Sequence, residues 1–159
     1  MMTLGIALAI FGAALAVGLA GTGSAIGVGI AGQVGNGIIS EEPEKFGKVL
    51  LLEALPGTQG IYGFLAAIMV LQKIDFLSGM AINLTMSQGW QIFFACLPIA
   101  IAGLTSGIFQ GKVSASGMGV VAKQPAEVGK AIILTAMVET YAVLGLLASI
   151  LLINGVNVG

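Results

Sequence analysis

Three polar breaks cut this chain into four apolar stretches, roughly Leu4 to Ile39, Phe46 to Lys73, Gln88 to Ala122 and Ala126 to Ile153. Each is longer than the ~20 residues a helix needs to cross a bilayer, and at about 1.5 Å per residue each extends beyond the hydrocarbon core. Charged residues make up 8% of the chain, against roughly 25% in an ordinary soluble domain. The expected fold is therefore an all-α membrane protein with four transmembrane helices. The breaks carry helix-stopping residues: Pro43 within Ser40 to Lys45, Pro125 after Lys123 and Gln124, and Lys73, Asp75, Gly79 and Asn83 between Gln72 and Ser87. Met1 to Ala20 lacks the basic start of a cleaved signal and stays apolar too long for one, so it reads as a retained helix.

The two halves repeat each other. A shift of 82 residues carries Gly21, Ser24, Gly29, Gly35 and Gly37 onto Gly103, Ser106, Gly111, Gly117 and Gly119. The same shift carries Pro43, Gly47, Lys48, Ala54, Thr58 and Gly63 onto Pro125, Gly129, Lys130, Ala136, Thr140 and Gly145. This predicts two tandem helical hairpins, residues 1–78 and 79–159, forming a parallel internal repeat. Both short loops then lie on one side of the membrane. Lys45, Lys48, Lys123 and Lys130 gather there while Lys73 marks the other side, so the short loops are expected to be cytoplasmic and both termini outside.

The first helix is crowded with glycine, including Gly12, Gly18, Gly23, Gly27 and Gly32, and the third has Gly103, Gly107 and Gly111 at related places. In lipid, small residues let helix backbones approach closely. Helices 1 and 3 are thus expected to form a tight inner pair, with bulkier helices 2 and 4 outside. Gly27-Val28-Gly29-Ile30-Ala31-Gly32 matches a dinucleotide-binding pattern, with Glu53 where an acidic ribose ligand would fall. That pattern requires a preceding strand and a βαβ unit, whereas these glycines lie within one apolar helix, so no nucleotide site is expected. With six lysines and no arginine, the chain also offers no basic surface for nucleic acid.

Glu139 is the only acidic residue in the run Ala131 to Ile153. A charge at the centre of a membrane helix costs about 2.5 to 3.5 kcal/mol, which makes Glu139 a candidate functional residue. Gln59 lies 13 residues into helix 2, Glu139 lies 13 into helix 4, and Gln110 lies 12 before the end of helix 3. All three sit at one depth, roughly 18 to 20 Å from the short loops. Leu55, Thr58, Gln59 and Tyr62 share a helix face. Pro56-Gly57 removes a backbone hydrogen bond on the same turn and frees the carbonyl of Leu52.

One carboxylate, two carboxamides, a hydroxyl and a phenol suit a monovalent hard cation. Divalent sites gather more carboxylates, and soft metals want sulfur or imidazole. The donor set exceeds what protonation needs, so sodium is favoured over the proton. Three other readings stay open on these residues: the polar side chains as glue between helices, Glu139 as the gate of a passive channel or secondary transporter, and a purely structural proteolipid in which Glu139 has no required charge. The parallel repeat differs from the inverted repeats common in transporters.

Leu55-Pro56-Gly57-Thr58-Gln59-Gly60-Ile61-Tyr62-Gly63-Phe64, Ser106-Gly107-Ile108-Phe109-Gln110-Gly111-Lys112 and Met137-Val138-Glu139-Thr140-Tyr141 together resemble the proteolipid K (c-type) subunits of bacterial V-type sodium ATPases. The resemblance covers nearly the whole chain. It implies a multi-pass protein of the cell membrane that assembles with its own copies into a rotor ring. The implied partners are the stator a/I-type membrane subunit and the central-stalk subunits, with ATP chemistry on other chains. It also implies that Glu139 carries the ion, that Thr58, Gln59, Gln110 and the carbonyl of Leu55 complete a sodium shell, and that Tyr62 hydrogen-bonds the glutamate. The proton is the alternative cargo. The repeat partners of Glu139 and Gln110 are Gly57 and Val28, so one ion per two hairpins is expected, leaving more free energy for each ion moved.

Glu53 is a second acid within a span, and helix positions allow it to pair with Lys112. Trp90 reads as an interfacial anchor and Cys96 as an inert packed thiol.

Overall fold

Thr3 and Thr85 open the two longest helices. In the computed structural model, which describes residues 3–80 and 82–158, α1 runs Leu4–Glu41 with the Thr3 hydroxyl accepting from the Ile6 amide. The first and last residues of the expected hairpins, Met1 and Gly159, lie outside the described residues. The second span begins with a single 3-10 turn, Pro43–Lys45, and continues as α2 (Phe46–Ala54), a second 3-10 turn (Leu55–Gly57) and α3 (Thr58–Lys73). A third 3-10 turn, Phe76–Ser78, lies in the connection to α4 (Met86–Lys123), and a fourth, Pro125–Glu127, leads into α5 (Val128–Gly155). Every regular element among the described residues is helical, and four spans are long and apolar enough to cross a membrane. The chain is a multi-pass membrane protein.

The expected helix ends shift by a few residues. α4 starts at Met86 rather than Gln88, because Thr85 and Gln88 form a reciprocal capping box that satisfies two free amides. In the long connection, Asp75 and Gly79 take left-handed backbone angles (φ 53° and 80°), and the Ile82 amide returns to the Ile74 carbonyl at 2.9 Å. At the opposite end, the nearly buried Lys45 ammonium donates to Glu42 at 2.5 Å and to the Ala122 carbonyl at 2.6 Å. That contact fastens the first short loop to the end of α4.

α1 and α4 form the tightest pair, as the glycine pattern anticipates. Gly5, Gly23 and Gly27 lie directly against Gly89, Gly107 and Gly111, so close that a methyl group on any of them would overlap the facing backbone. Such contact gains dispersion and weak Cα–H···O bonding where lipid offers no hydrophobic drive. α3 packs on α1 through Gly60 and Gly63, and the Gly60 amide donates to Ser24 at 2.8 Å. α5 packs on α4, which runs on through Pro98, and the next amide, Ile99, donates to the buried Ser149 hydroxyl at 3.1 Å.

Two apolar cores result. One, around Ile6, Val70, Ile74, Ile92 and Ile153, lies toward the long connection. The other, around Val49, Leu52, Met118 and Val121, lies toward the short loops. Large side chains such as Phe64, Leu134, Leu144 and Leu151 face outward, the polarity expected of a surface solvated by lipid.

Candidate ion-binding site

Between the two cores lies a polar band. Gln59 on α3 and Gln110 on α4 are fully buried, and the Gln59 amide donates to the Gln110 carbonyl oxygen. Gln110 in turn donates to the Thr135 carbonyl at 3.3 Å and to Glu139 Oε2 at 3.5 Å. Tyr62 donates its phenolic hydrogen to Glu139 Oε1 at 2.5 Å. Residues 77 positions apart in sequence are thereby joined on facing helices.

The bend at Leu55–Gly57 sets the remaining donors. Without an amide hydrogen on Pro56, the turn tightens to 3-10 geometry, and the Leu55 carbonyl accepts from both the amide and the hydroxyl of Thr58, the latter at 3.0 Å. The same hydroxyl stands 3.5 Å from Gln59 Oε1. Leu55, Thr58, Gln59, Tyr62, Gln110 and Glu139 are thus linked by contacts in one cluster, with Glu139 its single formal charge. The other side of Glu139 meets an open apolar depression lined by Ala136, Thr140, Val143 and Leu144. The carboxylate therefore faces the polar band and the outer surface of α5.

Thr135 is a member of the cluster that depth counting does not single out. It lies one turn before Glu139 on the same face, which is its only sequence signal. Ser106 and Ser114, one turn to either side of Gln110, keep buried hydroxyls without a partner among the described residues.

The pairing of Glu53 with Lys112 within the chain is not formed. Lys112 is exposed on the side of α4 turned away from the α1 seam, its ammonium 5.0 Å from the centre of the Phe109 ring. Glu53 instead lies over Gly32 of α1. Trp90 stacks on Phe94 and meets Phe93 edge-on near the start of α4, and Cys96 is buried.

The family pattern for the C-subunit of ATP synthase matches this chain twice, at residues 11–70 and 93–152. The chain belongs to the ATP synthase C-subunit family. The two matches are offset by the same 82 residues as the internal repeat, so each hairpin is one copy of the family unit. The chain is 44% identical over 122 residues to the V-type sodium ATPase subunit K of Enterococcus hirae, covering 77% of this chain and 74% of that protein. It is also 44% identical over 152 residues to the A-type ATP synthase subunit K of Methanocaldococcus jannaschii, covering 96% of this chain. The matched region spans 64% of that archaeal protein, under two thirds of its length. Within this two-hairpin plan, the chain places its mid-span carboxylate on the second hairpin alone.

Proposed function

We propose that this chain is the ion-carrying rotor subunit of a V-type rotary ATPase, carrying one sodium ion per copy on Glu139. The observation that carries the reading is the mid-span carboxylate joined to Tyr62 and Gln110 within a cluster of buried oxygen donors. The E. hirae relative, named as a sodium ATPase subunit, adds support for the cargo. Copies assemble into a ring in the cell membrane, with the stator a/I-type subunit and the central stalk as neighbours. The short loops lie on the cytoplasmic side and the termini outside. The chain is non-catalytic, and ATP is hydrolysed or made on other subunits.

The proposed division of labour follows from charge. Glu139 supplies the one negative charge, and Thr58, Gln59, Gln110 and the Leu55 carbonyl supply neutral oxygens. A bound sodium ion cancels the carboxylate charge, so a loaded subunit enters the lipid without the cost of an exposed ion. Tyr62 holds the carboxylate turned inward while the ion is bound. Release requires that hydrogen bond to open, so that Glu139 turns toward the outer face of α5.

Radioactive sodium binding to the purified, detergent-solubilised protein tests the proposal against Glu139→Gln. The expected result is saturable binding of one ion per chain, lost in the variant, together with sodium protection of Glu139 from a carboxyl-reactive carbodiimide. Carbodiimide labelling that sodium leaves unchanged, with no sodium bound, would assign the carboxylate to protons instead. Two ions per chain would overturn the single-site reading.

A further inference from the structure

The contact between the two halves of one chain is a template for the contact between copies. Gly23 of α1 sits between Gly103 and Gly107 of α4, and Gly27 between Gly107 and Gly111, residues 80 and 84 positions away, so the two helices are level at the repeat offset of 82. Applying the repeat to that contact moves the α1 face onto α4 and the α4 face onto α1 of a following copy. Thr105 then lies between Gly21 and Ala25 of the next copy, and Phe109 between Ala25 and Gly29 of the next copy.

The bare surface of the single chain fits this register. α1 leaves Phe11, Ala14, Gly18, Thr22, Ala25 and Gly29 exposed, and α4 leaves Phe94, Ile101, Thr105 and Phe109 exposed. A methyl group on Gly18, Gly21 or Gly29 would meet nothing within 4 Å, the opposite of Gly23 and Gly27. The used and unused glycine faces of α1 are two sides of one helix, which makes the interface head-to-tail; such an interface closes into a ring when its rotation allows.

The same register brings Lys112 level with Ile30 of the next copy, half a turn from Gly32, the residue that the Glu53 carboxylate covers. Within one chain Glu53 makes no hydrogen bond or ion pair among the described residues, where the ion pairs are Lys45 with Glu42 and Lys130 with Glu127. The Lys112 ammonium lies over Phe109, which takes the place of Gly27 in the repeat and so stands on the predicted contact face.

We propose that Lys112 of each copy forms an ion pair with Glu53 of the next, across the interface between copies. This rests on the ring reading above. Because acid and base come from different chains, the two charges compensate each other only after assembly. Any open end of an incomplete ring leaves one acid or one base unpaired within the membrane, which favours closure over open arcs.

The test treats the intact, detergent-solubilised ring with a water-soluble carbodiimide, which joins an amine and a carboxylate in direct contact as an amide. Mass spectrometry of the dimer band on a denaturing gel should find the Lys112 and Glu53 peptides joined. In parallel, Glu53→Lys and Lys112→Glu should each lower the temperature at which the ring falls apart, and the double exchange should recover most of the loss. A separate pair, Ala25→Cys with Thr105→Cys, should give a disulfide-linked ladder of oligomers and tests the interface without the charges. A ladder without the joined peptide, or the joined peptide only in the monomer band, overturns the ion pair and leaves the ring standing. No ladder removes the register, and a protein that is monomeric throughout removes the ring.

Discussion

Where the first outer span bends through a 3-10 turn at Leu55–Gly57, the second runs unbroken through Met137, Val138 and Glu139, the residues that hold the same three places in the repeat. The neighbouring threonines still behave alike. Thr58 donates to the Leu55 carbonyl at 3.0 Å, and Thr140 donates to the Met137 carbonyl at 2.7 Å. Beyond that turn the hairpins diverge. Gln59 is fully buried while its counterpart Tyr141 is 67% exposed, and Tyr62 and Gln110 have Leu144 and Val28 as their counterparts. One hairpin supplies the bend and the neutral donors of the outer layer, and the other supplies the charge. Duplication thus left two kinds of helix contact, one polar and one given over to packing.

Moving the acid between the hairpins is the strongest way to break that contrast. Glu139→Gln should abolish sodium binding, and adding Gly57→Glu should not restore it, because Val28 and Leu144, at the places of Gln110 and Tyr62, offer the relocated acid no side-chain oxygen; equilibrium sodium binding reads both variants. Gln110→Val, which installs the counterpart residue, leaves the buried Gln59 amide without its acceptor. It should weaken sodium binding by about 2 kcal/mol, roughly 30-fold, measured by calorimetric titration. Tyr62→Phe removes one hydrogen bond from a carboxylate that keeps its contact with Gln110. A loss of about 1 kcal/mol, roughly fivefold, is expected, with faster sodium exchange in a washout assay. Smallest of all, Thr140→Val should change sodium affinity by less than about 0.5 kcal/mol. Thr58→Val, at the matching place, should cost clearly more, and equal effects at the two threonines would erase the distinction between the hairpins.

Much of this was legible in the residue order. Span lengths follow from uninterrupted apolar runs, the hairpin plan from the 82-residue repeat, and the shared depth of Gln59, Gln110 and Glu139 from counting along helices. Counting gives height along an axis and not the direction a side chain faces once helices pack. That is why Glu53 and Lys112, similar in depth, lie on faces that do not meet within one chain. The Thr135 carbonyl and the Lys45 clasp on Ala122 escape for a related reason. Both depend on main-chain oxygens, which every residue carries and no residue type announces. The start of α4 was readable in principle, since Thr85 and Gln88 are spaced as a capping box, but an apolar run alone places the boundary two residues late.

The glycine seam between α1 and α4 has an electrical consequence. Where Gly23 and Gly27 face Gly107 and Gly111, the two backbones are in direct contact, with no gap between them. No file of water can thread that stretch, so it acts as a gasket behind the polar band. For the ion site proposed at Glu139, this insulates the inner side and leaves the outer face of α5 as the way out.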